Sequence, residues 1–194
     1  MTRELLKRND RGRAMALVND IIGVTQFTSH PSVDDRGEWH RVWDISTIES
    51  GSVPNSLVSQ VSISTNRVAG TLRGIHYLQV EAAERKTVQC FEGSAFDVIV
   101  DMRPNSPTFL DHMSVTLDSK VGNRISIPPG CGHGFQTLEA CTSLAYTMTA
   151  PYDPKLEMGI RFDDPVIGIA WPMIPSKVSE KDLNWNLLEV MNNK

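Results

Sequence analysis

The segment Phe96-Asp97-Val98-Ile99-Val100-Asp101-Met102-Arg103 carries an apolar side chain at every second position, starting with Phe96. A period of two is that of a β-strand, in which successive side chains point to opposite faces. The segment Met113-Ser114-Val115-Thr116-Leu117-Asp118 repeats the pattern. We therefore expect two β-strands here, each of which buries one face.

Turn-forming residues recur between residues 21 and 148 and divide the sequence into runs of strand length. They include Asp34-Asp35-Arg36-Gly37, Glu92-Gly93, Pro104-Asn105-Ser106-Pro107, Val121-Gly122-Asn123 and Pro128-Pro129-Gly130. Short strands at this spacing indicate an all-β protein, built as an antiparallel sandwich or barrel.

Helical patterns are confined to the two ends of the sequence. Residues 1–20 carry a weakly helical pattern, interrupted at Asp10-Arg11-Gly12, and we expect them to form an N-terminal arm. Ser179-Glu180-Lys181-Asp182 has the form of a helix start. The length of 194 residues fits one domain, which we place at residues 21–194.

The composition is that of an ordinary globular protein and argues against several functions. Charged residues make up 22% of the sequence, and 19 Lys and Arg against 23 Asp and Glu give a net charge of -4. No basic run supports nucleic-acid binding, and no apolar stretch reaches the roughly 18 residues of a membrane span. The 3 cysteines show no C-x-x-C spacing, and the charged N-terminus is unlike a signal peptide. We therefore expect a protein of the reducing cytoplasm.

The chemistry-bearing part of the sequence is Thr71-Leu72-Arg73-Gly74-Ile75-His76-Tyr77, followed by Lys86. Histidine titrates near neutral pH and can take and return a proton, whereas arginine and lysine stay charged there. Fixed cations suit phosphate oxygens, or the negative charge that develops on a carbonyl oxygen beside a deprotonated carbon. Arg73, His76 and Lys86 therefore predict an enzyme that enolises an anionic substrate, although such residues also occur together in surface loops.

Four further residues have both a structural and a chemical interpretation. His133 lies in a glycine-rich segment, residues 128–135, which we expect to form a turn whose glycines permit close backbone approach and place the imidazole at the end of a strand. Tyr146 falls on one face of the next strand, as a core tyrosine or as a residue that points into the barrel. Asp182 fits a capping role at the helix start, and Arg36 fits a turn.

Six blocks of the sequence occur in a characteristic order. They are Leu72-Arg73-Gly74-Ile75-His76-Tyr77, Lys86, Glu92-Gly93-x-x-Phe96-Asp97-Val98-x-Val100-Asp101-x-Arg103-x-x-Ser106-Pro107-Thr108-Phe109, Ile127-Pro128-x-Gly130-x-x-His133-Gly134-Phe135, Tyr146 and Gly159-Ile160-Arg161-Phe162-Asp163-Asp164-Pro165-x-x-Gly168-Ile169-x-Trp171-Pro172. Over roughly residues 21–185, this series resembles the dTDP-4-dehydrorhamnose 3,5-epimerase family.

The resemblance implies a cupin-type β jelly roll that works as a homodimer, without a metal or other cofactor, on a thymidine-diphosphate 4-keto-6-deoxy sugar. It implies that His76 is the base, Asp182 its orienting partner and Tyr146 the acid on the opposite face of the sugar. Lys86 and His133 correspond to the groups that steady the enolate oxygen and the sugar. The other substrate-binding positions that it implies are Arg36, Gln60, Ser62, Arg73, Tyr152, Glu157 and Lys181.

Three departures from the family pattern leave the nucleotide and the sugar open. Arg41 stands where the family usually has a carboxylate, and Ser62 stands where it usually has asparagine. Leu78 separates an aromatic residue from a glutamine that are usually adjacent. All three changes concern substrate binding rather than proton transfer.

Three other functions remain open beside an epimerase that inverts C3, C5 or both. The first is a single-carbon epimerase or ketoisomerase on a related nucleotide sugar, which would retain His76. The second is a metal-dependent cupin, which normally supplies an H-x-H pair that neither His76 nor His133 provides. The third is a sugar-binding module without turnover, which would not require a base, its carboxylate partner and an opposed tyrosine together.

Overall fold

Two five-stranded antiparallel sheets form the body of the protein. The computed structural model describes residues 7–8, 14–15, 21–28, 32–39, 58–79 and 84–188. These residues contain helix α1 (Glu180–Leu183) and the strands β1 (Lys7–Arg8), β2 (Ala14–Met15), β3 (Thr25–Thr28), β4 (Ser32–Asp34), β5 (Gly37–Trp39), β6 (Gln60–Asn66), β7 (Leu72–Leu78), β8 (Lys86–Glu92), β9 (Ser94–Asp101), β10 (His112–Asp118), β11 (Asn123–Ile127), β12 (Cys131–Thr137), β13 (Thr142–Met148) and β14 (Glu157–Gly159).

Sheet I has the strand order β10-β9-β12-β7-β14, and sheet II has the order β3-β11-β8-β13-β6. Strands β1 and β2 form a separate two-stranded sheet, and β4 and β5 form another. The prediction of an all-β jelly roll from the turn spacing and the family resemblance is confirmed. No helix among the described residues is long and apolar enough to cross a bilayer.

The main hydrophobic core lies between the two sheets. The alternating apolar residues of β10, which are Met113, Val115 and Leu117, contribute to it as predicted. Sheet I also supplies Ala95, Ile99, Cys131 and Phe135, and sheet II supplies Val88, Cys90, Ile125, Ile127 and Leu144. This core fixes the spacing between the sheets, and therefore the width of any cleft that opens between them.

Strand β9 buries both faces, so the prediction that it buries only one is wrong. Val98 and Val100 belong to a second cluster on the outer side of sheet I, whereas Ile99 points between the sheets. The outer face is buried because the chain after β14 folds back over it. That returning segment contributes Ile160, Ile167, Ile169, Trp171 and Leu188 to the second cluster.

Strands β7 and β12 approach each other unusually closely at a pair of glycines. A Cβ atom at Gly74 would lie 2.5 Å from the Cα atom of Gly134, and a Cβ atom at Gly134 would lie 2.8 Å from the carbonyl oxygen of Arg73. Gly74 also has a φ angle of 121°, in the region that favours glycine. Neither position therefore accommodates a side chain without a shift of the backbone.

The two predicted helical segments have different outcomes. Helix α1 begins after Ser179 as predicted, but it is a single turn that ends at the cap residue Asn184. In the N-terminal arm, the described residues 7–8 and 14–15 pair as antiparallel strands instead of following the weakly helical pattern. The turn signal at Asp10-Arg11-Gly12 favours such a reversal of the chain. The boundary of the arm near residue 20 stays a prediction.

Asp101, at the end of β9, organises the loop that follows. Its buried carboxylate accepts hydrogen bonds from Arg103 Nε at 2.7 Å, Ser106 Oγ at 2.5 Å and Thr108 Oγ1 at 2.6 Å. Burial alone would raise the pKa of Asp101, but these hydrogen bonds outweigh it and hold the pKa well below its usual range. Arg103 also donates to the carbonyl oxygen of Ile22 at 2.9 Å, which ties the loop to the segment before β3.

We predict that Asp101→Asn lowers the free energy of unfolding by about 2 kcal/mol at neutral pH, because charge-assisted hydrogen bonds in a buried site are lost. A depressed folded-state pKa stabilises the protein above the unfolded-state pKa, near 4, and this stabilisation fades as the pH falls. The difference between wild type and variant should therefore shrink in urea unfolding at pH 3. Asp163→Asn is the matched control, since Asp163 pairs with Arg161 at the same spacing but on the surface. Equal losses in the two variants would contradict the prediction.

Candidate active site

A cleft of about 350 Å³ opens between the two sheets. Its lining comprises Arg73, His76, His133 and Phe135 from sheet I, Ser64, Lys86 and Tyr146 from sheet II, and Ser179, Lys181 and Asp182 at helix α1. This volume is within the range of small-molecule sites. The cleft brings together all the predicted catalytic residues, with three of the predicted substrate contacts.

His76 and Asp182 form a hydrogen-bonded pair at the cleft, although they lie 106 residues apart in the sequence. His76 Nε2 is 2.6 Å from Asp182 Oδ1, and Asp182 Oδ2 accepts from the backbone N–H of Gly74 at 3.3 Å. Burial works to raise the pKa of Asp182, but the bond and the charge of His76 outweigh it, so the pKa is lowered. An ionised carboxylate only accepts, so Nε2 of the imidazole carries a proton and Nδ1 of the neutral ring keeps its lone pair.

The side chain of Asp182 is available to His76 because Ser179 caps the helix. The Ser179 hydroxyl accepts from the backbone N–H of Asp182 at 3.0 Å, which satisfies one free donor of the first turn. The interpretation in which Asp182 caps the helix is therefore wrong. Ser179, the first residue of the predicted pattern, caps the helix. Asp182, its last residue, is directed toward Gly74 and His76 of β7.

Arg73 and His76 face the same cleft although an interval of three residues normally puts side chains on opposite faces of a strand. In the pairing of β7 with β12, His76 lies opposite His133 and Arg73 lies opposite Phe135, so β7 has one extra residue here. The irregularity falls at the close glycine contact described above. Arg73 Nε then donates to Asn66 Oδ1 at 2.9 Å. The sequence does not predict a role for Asn66, because an isolated asparagine carries no distinctive pattern.

Tyr146 reaches the cleft from sheet II, and His76 reaches it from sheet I. The Tyr146 ring lies 6.0 Å from the ring of His133 and 6.5 Å from that of Phe135. Burial raises the pKa of Tyr146 strongly, and the Asp97 carboxylate adds to the increase. The hydroxyl therefore keeps its proton at neutral pH, and it lies on the opposite sheet from the imidazole.

His133 belongs to the interior of β12, so the prediction that it ends a strand in a turn is wrong. The predicted turn is present but ends at Gly130, before β12, and Gly134 provides the predicted close backbone approach, to β7. His133 Nε2 lies 2.8 Å from Asp97 Oδ2, and both residues are buried. Burial raises the pKa of Asp97, against the opposing effects of His133 and Lys86.

Asp97 is a second site residue that sequence reasoning misses. Alternation along β9 assigns it to the polar face of the strand, which the pattern predicts to be exposed. The position of Ile99 could have identified it, because residues two apart in a strand lie on the same face, and Ile99 points between the sheets. The site consequently holds two imidazole–carboxylate pairs, and both imidazoles line the cleft, although Asp97 and His133 are more deeply buried than His76.

The mouth of the site contains three predicted substrate contacts in one hydrogen-bonded group. Glu157 Oε1 lies 2.6 Å from Lys181 Nζ, and Glu157 Oε2 accepts from the Tyr152 hydroxyl at 3.0 Å. Burial works to raise the pKa of Glu157, but Lys181 and Tyr152 outweigh it and lower the pKa. Glu157 therefore stays ionised and holds its two neighbours together.

Five predicted substrate contacts do not line the cleft, and two of them are Tyr152 and Glu157 of the group at the mouth. Arg36 is exposed in the hairpin of β4 and β5, where its guanidinium pairs with Asp34. Gln60 donates to the carbonyl oxygen of Ala150 at 2.9 Å, and Ser62 is exposed on β6 opposite Tyr146. Ser64, two positions further on the same face, is the residue of this strand that lines the cleft. The departure at Arg41 lies outside the described residues.

The cleft is rich in cations. Arg73, Lys86 and Lys181 line it, and Asp182 is its one carboxylate among the described lining residues. Lys86 Nζ lies 3.6 Å from Glu84 Oε1, a loose ion pair that leaves its charge available to the cleft. Within the described ranges, no group of three or more His, Cys, Asp or Glu residues is placed to hold a metal ion.

Comparison with known proteins identifies relatives of the whole domain. The dTDP-4-dehydrorhamnose 3,5-epimerase family profile matches residues 19–189. The dTDP-4-dehydrorhamnose 3,5-epimerase of Sinorhizobium fredii is 39% identical over 150 residues, which cover 76% of this chain and 71% of the relative.

Two solved structures share the fold. The rmlC epimerase of Mycobacterium tuberculosis has a TM-score of 0.82 and 32% identity, and the match covers 87% of this chain and 85% of that chain. ChmJ, a 3'-monoepimerase from Streptomyces bikiniensis whose structure holds dTDP-quinovose, has a TM-score of 0.80 and 30% identity, and the match covers 86% of this chain and 84% of that chain.

Proposed function

The chain belongs to the dTDP-4-dehydrorhamnose 3,5-epimerase family, and from this premise we propose that it inverts C3, C5 or both of a nucleoside-diphosphate 4-keto-6-deoxyhexose. The observation that carries the proposal is the entry of an imidazole and a phenol into one cationic cleft from opposed sheets. Inversion requires a base on one face of the sugar ring and a proton donor on the other. The thymidine-diphosphate sugar is the substrate that we assign to it.

The first step is removal of the ring proton beside the ketone. Nδ1 of His76 takes the proton, and the electrons of the C–H bond form a C=C bond while the ketone oxygen becomes an enolate. Asp182 holds the ring through Nε2 and stabilises the imidazolium that results. Lys86 and His133 stabilise the charge on the enolate oxygen, which is worth more in a partly desolvated cleft than in water.

The second step returns a proton to the same carbon from the other side. Tyr146 donates its phenolic proton, the C=C electrons form the new C–H bond, and the ketone is restored. The raised pKa of Tyr146 ensures that the phenol is protonated when the enolate forms. Exchange with solvent then reprotonates Tyr146 and removes the proton from His76, so the cycle needs no net reactant besides the sugar.

Substrate binding follows from the charges around the cleft. Arg73, oriented by Asn66, and Lys181 supply cations for the diphosphate. Tyr152 is 62% exposed at the mouth and offers its ring to the nucleobase. We place Arg36, Gln60 and Ser62 among the outer contacts, as the family resemblance implies, since none of them lines the cleft.

Inversion at a single carbon is the strongest competing reaction within this function. The similarity to ChmJ, a 3'-monoepimerase, is as extensive as the similarity to the M. tuberculosis epimerase, so overall fold does not separate the two outcomes. A ketoisomerase and a sugar-binding module without turnover also compete with the proposal. Each of these functions predicts a different set of sugar positions that exchange hydrogen with solvent.

We predict that the protein, incubated in D2O with thymidine diphosphate 4-keto-6-deoxyglucose and EDTA, introduces deuterium at C3, C5 or both. The positions are read by proton NMR. His76→Asn should lower the exchange rate by about 10² to 10⁴, because the base is lost while a polar group is retained. Binding without any exchange in the wild type would indicate a sugar-binding module, and exchange that requires a divalent metal would indicate a metal-dependent cupin.

We predict that Tyr146→Phe separates exchange from inversion. The ring and its packing are kept, but the transferable proton is lost, so wash-out of substrate hydrogen into D2O should persist while epimer formation falls at least about tenfold. Product formation is followed by NMR of the sugar ring. Epimer formation at the wild-type rate would reduce Tyr146 to a core tyrosine, and simultaneous loss of both processes would assign it to positioning the sugar.

We also propose that the protein works in the cytoplasm as a homodimer. The free thiols of Cys90, Cys131 and Cys141 support a reducing compartment. Strand β6 lies at the edge of sheet II, and its outward-facing Val61 and Ile63 are 65% and 68% exposed. An exposed apolar edge strand favours pairing with another chain, and a second copy would cover these side chains.

We predict that Val61→Asp combined with Ile63→Asp shifts the protein from dimer to monomer in sedimentation velocity, because two charges would be buried at the interface. Ile174→Lys is the control, since Ile174 is 93% exposed elsewhere on the surface. A dimer that survives the double substitution would place the interface on another face.

A further inference from the structure

Trp185 lies beside the proposed base without lining the cleft. Its ring centroid is 6.4 Å from that of His76, and the two planes meet at 61°, an edge-on arrangement. Trp185 follows helix α1, which carries Asp182. One short segment therefore supplies both the carboxylate that bonds to His76 and the indole that lies beside it. The sequence does not predict this contact, because no local pattern connects Trp185 with His76.

Gly159 makes room for this indole. In the pairing of β14 with β7, Gly159 lies directly opposite His76. A Cβ atom at Gly159 would come within 2.2 Å of the Trp185 ring atom Cε2. The indole therefore occupies the space that a side chain at position 159 would fill, next to the base on the neighbouring strand.

Two further features distinguish Trp185 from an ordinary core tryptophan: a contact with a lysine and an unpaired indole N–H. Lys181 Nζ lies 5.6 Å from the centroid of the Trp185 ring, and the same ammonium group pairs with Glu157 at the mouth. The indole Nε1 is buried and has no hydrogen-bond partner among the described residues. A buried unpaired donor destabilises the fold, and phenylalanine would fill an apolar site without that penalty. Natural proteins accept such local costs mainly at functional sites.

We propose that Trp185 is a positioning residue, which holds the His76 imidazole in the orientation that presents Nε2 to Asp182 and Nδ1 to the substrate. The indole blocks rotation of the imidazole toward β14, the strand on which Gly159 lies opposite His76. The role rests on the proposed function, since it concerns the base of that reaction. A displacement of the base by about 1 Å is enough to slow proton transfer by about 10².

Trp171 provides a matched control. It is also partly buried and edge-on to an aromatic ring, that of Phe96 at 6.1 Å and 70°. Its Nε1 donates to the carbonyl oxygen of Phe162 at 2.8 Å, and it packs on the outer face of sheet I instead of against His76. Substitution of Trp171 therefore tests the loss of a half-buried indole that has no contact with the base.

We predict that Trp185→Ala lowers kcat by about 10- to 100-fold and changes KM by less than about threefold, because the base is misplaced while substrate contacts remain. Trp185→Phe, which retains a ring, should fall between this variant and the wild type. The tautomer of His76 can be measured by ¹⁵N NMR of the imidazoles, because the sequence has 5 histidines and the signal that disappears in His76→Asn is that of His76. In Trp185→Ala, the population of the Nε2–H tautomer of His76 should fall. Trp171→Ala should lower stability and leave both the kcat and the tautomer unchanged.

An unchanged His76 tautomer and kcat in Trp185→Ala would overturn the proposal, whatever the stability of the variant. If Trp185→Ala does not fold, Trp185→Phe decides on the same two measurements. If the wild type shows no exchange with the 4-keto sugar, the proposed function fails. The tautomer comparison is independent of turnover, so it still tests whether Trp185 sets the orientation of His76.

Discussion

The hydrogen bond between His76 and Asp182 is the interaction on which the arrangement of the site depends. It joins strand β7 to a single helical turn, which follows the segment that lies over the outer face of sheet I. That segment buries the apolar face of β9 before it delivers Asp182. Residues 160–188 therefore pack the second hydrophobic cluster and also supply the carboxylate partner of His76.

The two imidazole–carboxylate pairs differ in electrostatics, and the proposed function gives them different tasks. Asp182 has a lowered pKa, so it remains a carboxylate and supports an imidazole that must gain a proton. Asp97 is fully buried, and its pKa is raised despite the nearby His133 and Lys86. A site where burial favours retention of a proton suits stabilisation of a developing oxyanion better than proton removal. Carboxylates with oppositely shifted pKa values are a recurrent way to separate two roles in one site.

Sequence alone predicts the architecture and most of the cleft, and its errors have physical causes. Alternation in β9 identifies the strand but cannot show that the chain returns to cover its outer face, so it assigns Asp97 to an exposed side. The glycine-rich segment around His133 predicts a turn and a close backbone approach, and both are present, but the turn ends at Gly130 and leaves His133 inside β12. The pairing of His76 with Asp182 follows from the family resemblance, since no local pattern contains it. Arg36 lies in the turn between β4 and β5, as its sequence context predicts, and the substrate contact that the family resemblance implies for it stays a prediction.

Phe135 shows how closely stability and chemistry are joined in this protein. It is 2% exposed and belongs to the core between the sheets, yet it also lines the cleft and its ring lies against both His133 and Tyr146. Any substitution there alters the separation of the sheets and the space around the sugar at once. A change of substrate range through this position would therefore require compensating changes in the core. We expect residues in contact with Phe135 to vary together with it among relatives that differ in substrate.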